Sequence, residues 1–191
     1  MENKKYSMLI VALYCYTGHI AAFVRNLRQK NSMVEITILT EKPDEVKNAI
    51  SDSKVNIVWY NVSSVDYIKL RWLKFLFIKY KQCRFFAHFY KNKRYDIINV
   101  HFANRYMSYV YKYLRAMSDN IVITPWGSDV LRIPEKNLKQ LSFIYKKADY
   151  ITTSPNMPLG KKILQEFKVD PQKKRRLSAK TTESTKIYDR I

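Results

Sequence analysis

Glycine, cysteine and acidic residues are all scarce in this 191-residue chain, and each scarcity excludes something. With 3 glycines, collagen-like and glycine-rich low-complexity architectures are excluded. The same shortage leaves no GxGxxG and no GxxxxGK[ST], so neither a dinucleotide fingerprint nor a P-loop is present. The two cysteines, Cys15 and Cys83, form no disulfide framework and no CxxC spacing. The expectation is a reduced setting, with no metal and no cofactor. Uninterrupted apolar runs of bilayer length are missing too. The longest candidate, Ile68 to Tyr90, carries Lys69, Arg71, Lys74, Lys79, Lys81 and Arg84. Each charge near a bilayer centre costs roughly 2.5–3.5 kcal/mol, which rules out spanning. The start, MENKKYSMLIVALYCYTGH, imitates a signal peptide, but Glu2 intrudes and no A-x-A site follows. Met8–Leu13 is therefore read as a buried strand.

Hydrophobic residues make up 47% of the chain, enough for a packed core. Strand-length apolar runs alternate with segments of helical period. The expected strands are Met8–Leu13, Val34–Thr40, Val55–Tyr60, Ile97–His101, Ile121–Thr124 and Tyr150–Ser154. The expected helices are His19–Lys30, Pro43 to about Ser51, one or two within Asp66–Lys93, Tyr106–Arg115, Lys136–Lys147 and Pro158–Phe167. Six strand–helix alternations with mostly apolar strands predict a three-layer, Rossmann-like α/β domain with a mostly parallel six-stranded sheet and right-handed crossovers. Beyond Val169 the apolar period stops. Residues 1–169 are read as the folded domain and 170–191, which include Lys173 to Arg176, as a basic, disordered tail.

Ligands of open parallel sheets bind beyond the carboxyl ends of the strands, so the loops there carry the functional expectations. After the first strand, Gly18 and His19 stand where free N–H groups and the helix dipole attract anions; an ordinary strand-to-helix turn explains them equally well. After the fourth, His101 points into the cleft or is a satisfied buried histidine. After the fifth come Trp126, Gly127, Ser128 and Asp129, in which Ser128 and Asp129 either cap the following helix or bind a ligand hydroxyl.

Together these segments resemble the N-terminal domain of GT-B glycosyltransferases of the family 4 type, which act in bacterial polysaccharide and lipid-linked glycan assembly. The matching segments are Met8–Lys30, Glu35–Thr40, Tyr95–Phe102, Ala148–Pro155 and, most specifically, VITPWGSDVL over Val122–Leu131. The family usually carries two glycines in the first loop, and here only Gly18 stands. The resemblance implies sugar transfer from a nucleotide donor to a hydroxyl acceptor, with Gly18, His19, His101 and Trp126–Asp129 on the acceptor side. The nucleotide-sugar domain of that family has no counterpart in Asp170–Ile191, so the chain is expected to bind an acceptor and to lack turnover without a donor domain.

The charge, 35 Lys plus Arg against 16 Asp plus Glu, is +19. It concentrates with aromatics between Asp66 and Tyr95, where Trp72, Phe75, Phe77 and Tyr80 alternate with Lys69, Arg71, Lys74, Lys81 and Arg84. Basic and aromatic residues together predict contact with an anionic membrane surface; a solvated basic face is the plainer alternative. The resemblance points to the cytoplasmic face of the plasma membrane. The rival functional class is a basic protein that binds nucleic acid or another polyanion, though no nucleic-acid-binding motif is present.

Overall fold

The computed structural model describes residues 6–13, 15–61, 69–91, 93–153 and 157–169. Six strands, β1 (Ser7–Ala12), β2 (Glu35–Thr40), β3 (Val55–Trp59), β4 (Ile97–His101), β5 (Ile121–Thr124) and β6 (Tyr150–Ile151), form one all-parallel sheet. Their order is β3-β2-β1-β4-β5-β6. The chain winds outward from β1 to one edge, then returns to β4 and winds to the other. The order reverses between β1 and β4, the place where doubly wound sheets open a crevice.

The strands are apolar on both faces because helices cover both. In β1, Met8, Ile10 and Ala12 enter one core, while Leu9 and Val11 enter the other. The first core is closed by α1 (Thr17–Lys30) through Ile20, Val24 and Leu27, and by α2 (Pro43–Ala49) through Val46. The second is closed by α3 (Arg71–Phe89), α4 (Met107–Met117), α5 (Ser128–Leu131), α6 (Glu135–Lys147) and α7 (Pro158–Gln165). The α1 stripe follows the 3.6-residue period read from the sequence. Pro43 sits in the first turn of α2 with Asp44 and Glu45, a favourable end for acids.

Polar contacts at the amino ends of the strands are structural. Ser7 donates through its backbone N–H and its hydroxyl to Asp96 Oδ2, at 2.8 and 2.9 Å. Asp149 Oδ2 accepts the Ile121 N–H at 2.8 Å and pairs with Arg115. These carboxylates hold neighbouring strands in register at the end away from the crevice.

The observed elements refine the sequence reading in three places. The basic aromatic segment is one helix from Arg71, and Asp66 lies outside the described residues. Strand β6 is short, and Ser154 lies outside the described residues. The helix that follows the WGSD turn begins at once, as the single turn α5 ahead of α6. The tail 170–191 also lies outside the described residues.

Candidate active site at the carboxyl edge of the sheet

The β1–α1, β4–α4 and β5–α5 loops converge where the strand order reverses. Aromatic rings from the loops and the element ends beside them meet one another across this edge. The Tyr16 ring meets His19 edge-on at 5.5 Å, His19 meets Trp126 at 4.2 Å, and Trp126 lies 5.8 Å from His101. Phe23 from α1 closes the far side of His101 at 4.7 Å. His19, His101 and Trp126, far apart in the chain, are thereby brought together.

Depth separates these residues into two layers. Gly18, His19 and Ser128 are exposed, and Trp126 and Gly127 are half-buried. His101 is 1% exposed and Asp129 7%, beneath that surface. His101 thus does not open directly onto solvent. Neither of its ring nitrogens has a hydrogen-bond partner among the described residues. Burial, reinforced by nearby His19, pushes its pKa down to about 3, so the ring is neutral at ordinary pH.

The β5–α5 turn is built by its own residues. Gly127 has φ +96, a conformation L side chains rarely adopt. That twist lets Asp129 Oδ1 accept the Trp126 N–H at 3.0 Å. Asp129 therefore fastens the turn that precedes α5, and no side chain caps that helix, contrary to the capping role open in the sequence. Its Oδ2 is buried and has no partner among the described residues. Burial raises its pKa to about 6, against hydrogen bonds from the backbone of the same turn.

The structure also gathers groups that no motif marked. Cys15 and Tyr145 both lie within electrostatic range of Asp129. Burial first, and Asp129 as a smaller contribution, push the Cys15 thiol up to about 12, so it is not a nucleophile. The Tyr145 hydroxyl is buried without a partner among the described residues, as is Trp126 Nε1. Orphaned buried polar atoms are uncommon in folded proteins, and here four residues carrying them lie around one turn. Tyr145 came from the middle of α6, where it reads as an ordinary core position; only the packing connects it to the site.

Phe102, immediately after β4, has φ +56, rare for an aromatic residue. It turns the chain into a cleft of about 380 Å³ that continues from the site, between the β4–α4 loop and the α5–α6 segment. Further out on the sheet edge, Thr152 donates to Thr124, and Thr124 to Asn99 Oδ1, both at 2.9 Å. Among the described residues no cluster of His, Cys, Asp or Glu could hold a metal ion.

Residues 9–155 match the family described as glycosyl transferase 4-like. The chain belongs to that family. No curated protein matches the sequence. The family match and the all-parallel sheet agree with the GT-B likeness seen in the sequence, and the general function is that of a glycosyltransferase domain. Ligands of open parallel sheets bind beyond the carboxyl ends of the strands, the edge at which these three loops of the glycosyltransferase domain converge.

The basic segment of the glycosyltransferase domain divides in the same way between surface and interior. On α3, Phe86, Phe89 and Gln82 face inward. Trp72, Leu73, Leu76 and Tyr80 are exposed, Trp72 at 62% and Tyr80 at 57%. At 3.6 residues per turn these four share an arc of roughly 100°. Lys79 and Arg84 are exposed on its two flanks, while Lys74 and Lys81 are half-buried. Lys69 is exposed just ahead of the helix, and the Arg71 side chain lies outside the described set. No helix among the described residues is long and apolar enough to cross a membrane.

Proposed function

We propose that this domain binds the acceptor for a glycosyltransferase of bacterial polysaccharide or glycolipid assembly, with the donor nucleotide-sugar held by a second domain. The observation that carries the reading is the convergence of His19, His101, Trp126 and Asp129 at the strand-order reversal, with polar side-chain atoms of His101, Trp126 and Asp129 buried without partners among the described residues.

In the reaction, an acceptor hydroxyl oxygen forms the new bond to the anomeric carbon. The bond from that carbon to the diphosphate breaks, and the hydroxyl proton passes to the leaving diphosphate. Positive charge grows on the sugar ring and negative charge on the leaving group. On this domain, Ser128 and His19 are the exposed polar contacts for acceptor hydroxyls, and the Trp126 ring is a flat apolar surface for a sugar. Gly18 brings the backbone close at the start of α1. His101 and Asp129 support the surface from beneath, and gain partners when the acceptor is enclosed. Enclosure by the donor domain excludes water and completes the charge-stabilising contacts to the diphosphate.

The exposed apolar arc of α3, flanked by Lys79 and Arg84, supports docking on an anionic membrane at the cytoplasmic face. Such docking suits a lipid-linked acceptor.

The test is a transfer assay. The purified domain alone is expected to show no turnover, since losing a single oxyanion-stabilising donor costs roughly 10²–10³ in rate and the whole set is elsewhere. Adding a nucleotide-sugar domain is expected to restore transfer, and Asp129→Ala to weaken it. Saturable turnover or tight nucleotide binding by this domain alone would overturn the assignment of halves.

A further inference from the structure

The cleft of about 380 Å³ beside the site is of small-molecule size, within the roughly 300–1,000 Å³ usual for ligand sites. Arg105 and Arg132 both line it, with Asn104, Asn137, Ser128 and Asp129. Neither arginine makes an ion pair among the described residues, and the only described acid on the wall is Asp129. Its Oδ1 is already engaged by the Trp126 N–H.

Arg105 is held in place by neutral groups. One terminal nitrogen donates to Asn137 Oδ1 at 3.0 Å, the other to the Tyr106 hydroxyl at 2.9 Å. Its guanidinium lies 4.8 Å from the Tyr106 ring centre and 5.4 Å from that of Phe75. Of five N–H donors, two are spent on those oxygens and the rest have no acceptor among the described residues. Fixed among the described residues by amide and phenol oxygens, the guanidinium keeps its charge for a ligand. A carboxylate partner would have cancelled it. Arg132, at the end of α5, is exposed and free to close on the same ligand. The first turns of α4 and α6 also reach this cleft, at Tyr106 and Asn137, and neither helix has a side-chain cap. Their dipoles add to the positive potential.

We propose that this cleft is a phosphoryl-binding subsite, with Arg105 and Arg132 as its charged contacts, and that the acceptor this domain takes is phosphorylated. The inference rests on the acceptor-side reading above and names the substrate class for it. The phosphoryl group lies against the arginines, and the attached polyol or sugar extends past Ser128 towards His19 and Trp126. A planar guanidinium matches two phosphoryl oxygens at once, which a lysine would not do.

Calorimetric titration of the protein at physiological salt tests this, with glucose 1-phosphate, methyl glucoside and uridine diphosphate as probes. Glucose 1-phosphate is expected to bind saturably and at least tenfold more tightly than methyl glucoside. Arg132→Ala and Arg105→Gln are each expected to weaken it about tenfold or more, the usual scale for a lost charged hydrogen bond. Circular dichroism monitors folding of the Arg105 variant; Arg132, being exposed, keeps the test decisive if that variant misfolds. Lys47→Glu, on the remote surface of α2, is expected to leave binding unchanged. Equal weakening by Lys47→Glu would mean diffuse attraction to a basic protein and overturn the subsite. So would the absence of saturable sugar-phosphate binding. If methyl glucoside binds as tightly and responds to Ser128→Ala, the phosphoryl subsite fails while the acceptor reading stands. If uridine diphosphate binds more tightly than the sugar phosphate through the same arginines, the phosphoryl group is the donor's and both readings fail.

Discussion

His101 and Asp129 oppose one another in how they respond to acid. Unfolded histidine titrates near 6.5, whereas buried His101 stays neutral to about 3. Below pH 6.5 the unfolded chain takes up a proton that the native ring refuses, so this contribution destabilises the fold as pH falls from 6.5 towards 3. By pH 5 it amounts to about 2 kcal/mol. Asp129 is the reverse. Its native pKa of about 6 exceeds the ordinary 3.8, so the native state holds a proton longer, and stability falls as pH rises from 4 to 6. His101→Phe is therefore expected to be at least as stable as the parent at pH 7, and to lose less stability between pH 6.5 and 5. Asp129→Asn, which keeps an oxygen for the Trp126 N–H, is expected to be more stable above pH 6 and more acid-sensitive between 6 and 4. Urea denaturation across that range reads both, and parallel curves for the parent and the two variants would refute the assignment. Gly127 is a separate matter of backbone. A methyl group there meets only Leu131 Cδ1 at 3.9 Å, so Gly127→Ala is expected to cost about 1–3 kcal/mol through φ alone. Gly18→Ala would bring its methyl within 2.9 Å of the Tyr16 ring. That ring is exposed and can swing aside, so a smaller loss in thermal denaturation is expected.

At the scale of elements, α3 spends several large apolar side chains on its outer face as well as its inner one. Phe86 and Phe89 complete the core against β1, β2 and α4, as any crossover helix must. Trp72, Leu76 and Tyr80 have no such duty. Double substitution Leu76→Glu with Tyr80→Glu removes outer apolar surface without touching the core, so the fold is expected to survive. Co-sedimentation with anionic vesicles is expected to fall at least tenfold, since both apolar burial and charge attraction are lost. The triple variant Lys74→Glu, Lys81→Glu, Arg84→Glu is expected to abolish binding at physiological salt through charge. Unchanged co-sedimentation of both variants would remove the membrane from the functional reading. The sequence had indicated basic and aromatic character here. It could not say which residues faced out, because core and surface aromatics alternate along the same helix.

For the whole molecule, a charge of +19 on 191 residues is a repulsive load. Described ion pairs are few and partly exposed, such as Lys42 with Glu45 and Arg28 with Asp52, and they offset little of it. Screening should therefore help the folded state. The melting temperature is expected to rise as sodium chloride goes from about 10 mM to 0.5 M, where the Debye length falls from about 30 Å to a few ångströms. A melting temperature that falls over that range would mean that local pairs outweigh net repulsion. The same charge makes the salt condition part of every binding measurement on this domain.

Which elements form, and in what order, was legible in the residues. Apolar runs of four to six, separated by stripes of 3.6-residue period, leave parallel strands with covered faces as the consistent arrangement, and all six strands lie where that pattern puts them. The WGSD segment was legible as a turn, since Gly and Asp there suit a left-handed residue and a side-chain-to-backbone bond. The depth of each residue was not legible. For His101 the sequence left a cleft position and a buried one equally open, and for Asp129 a cap and a ligand contact; packing of Phe23 and Trp126 sets His101 beneath the surface, and Asp129, on the cleft wall, is drawn in by its bond to the turn. Arg105, Arg132 and Asn137 carried no signal at all, because no spacing links them. They meet only because β4 and β5 are neighbours in the sheet and their following segments open on the same edge. Local periodicity is a property of consecutive residues and can be read from them. A cleft between two loops belongs to the sheet order, and only the folded chain creates it.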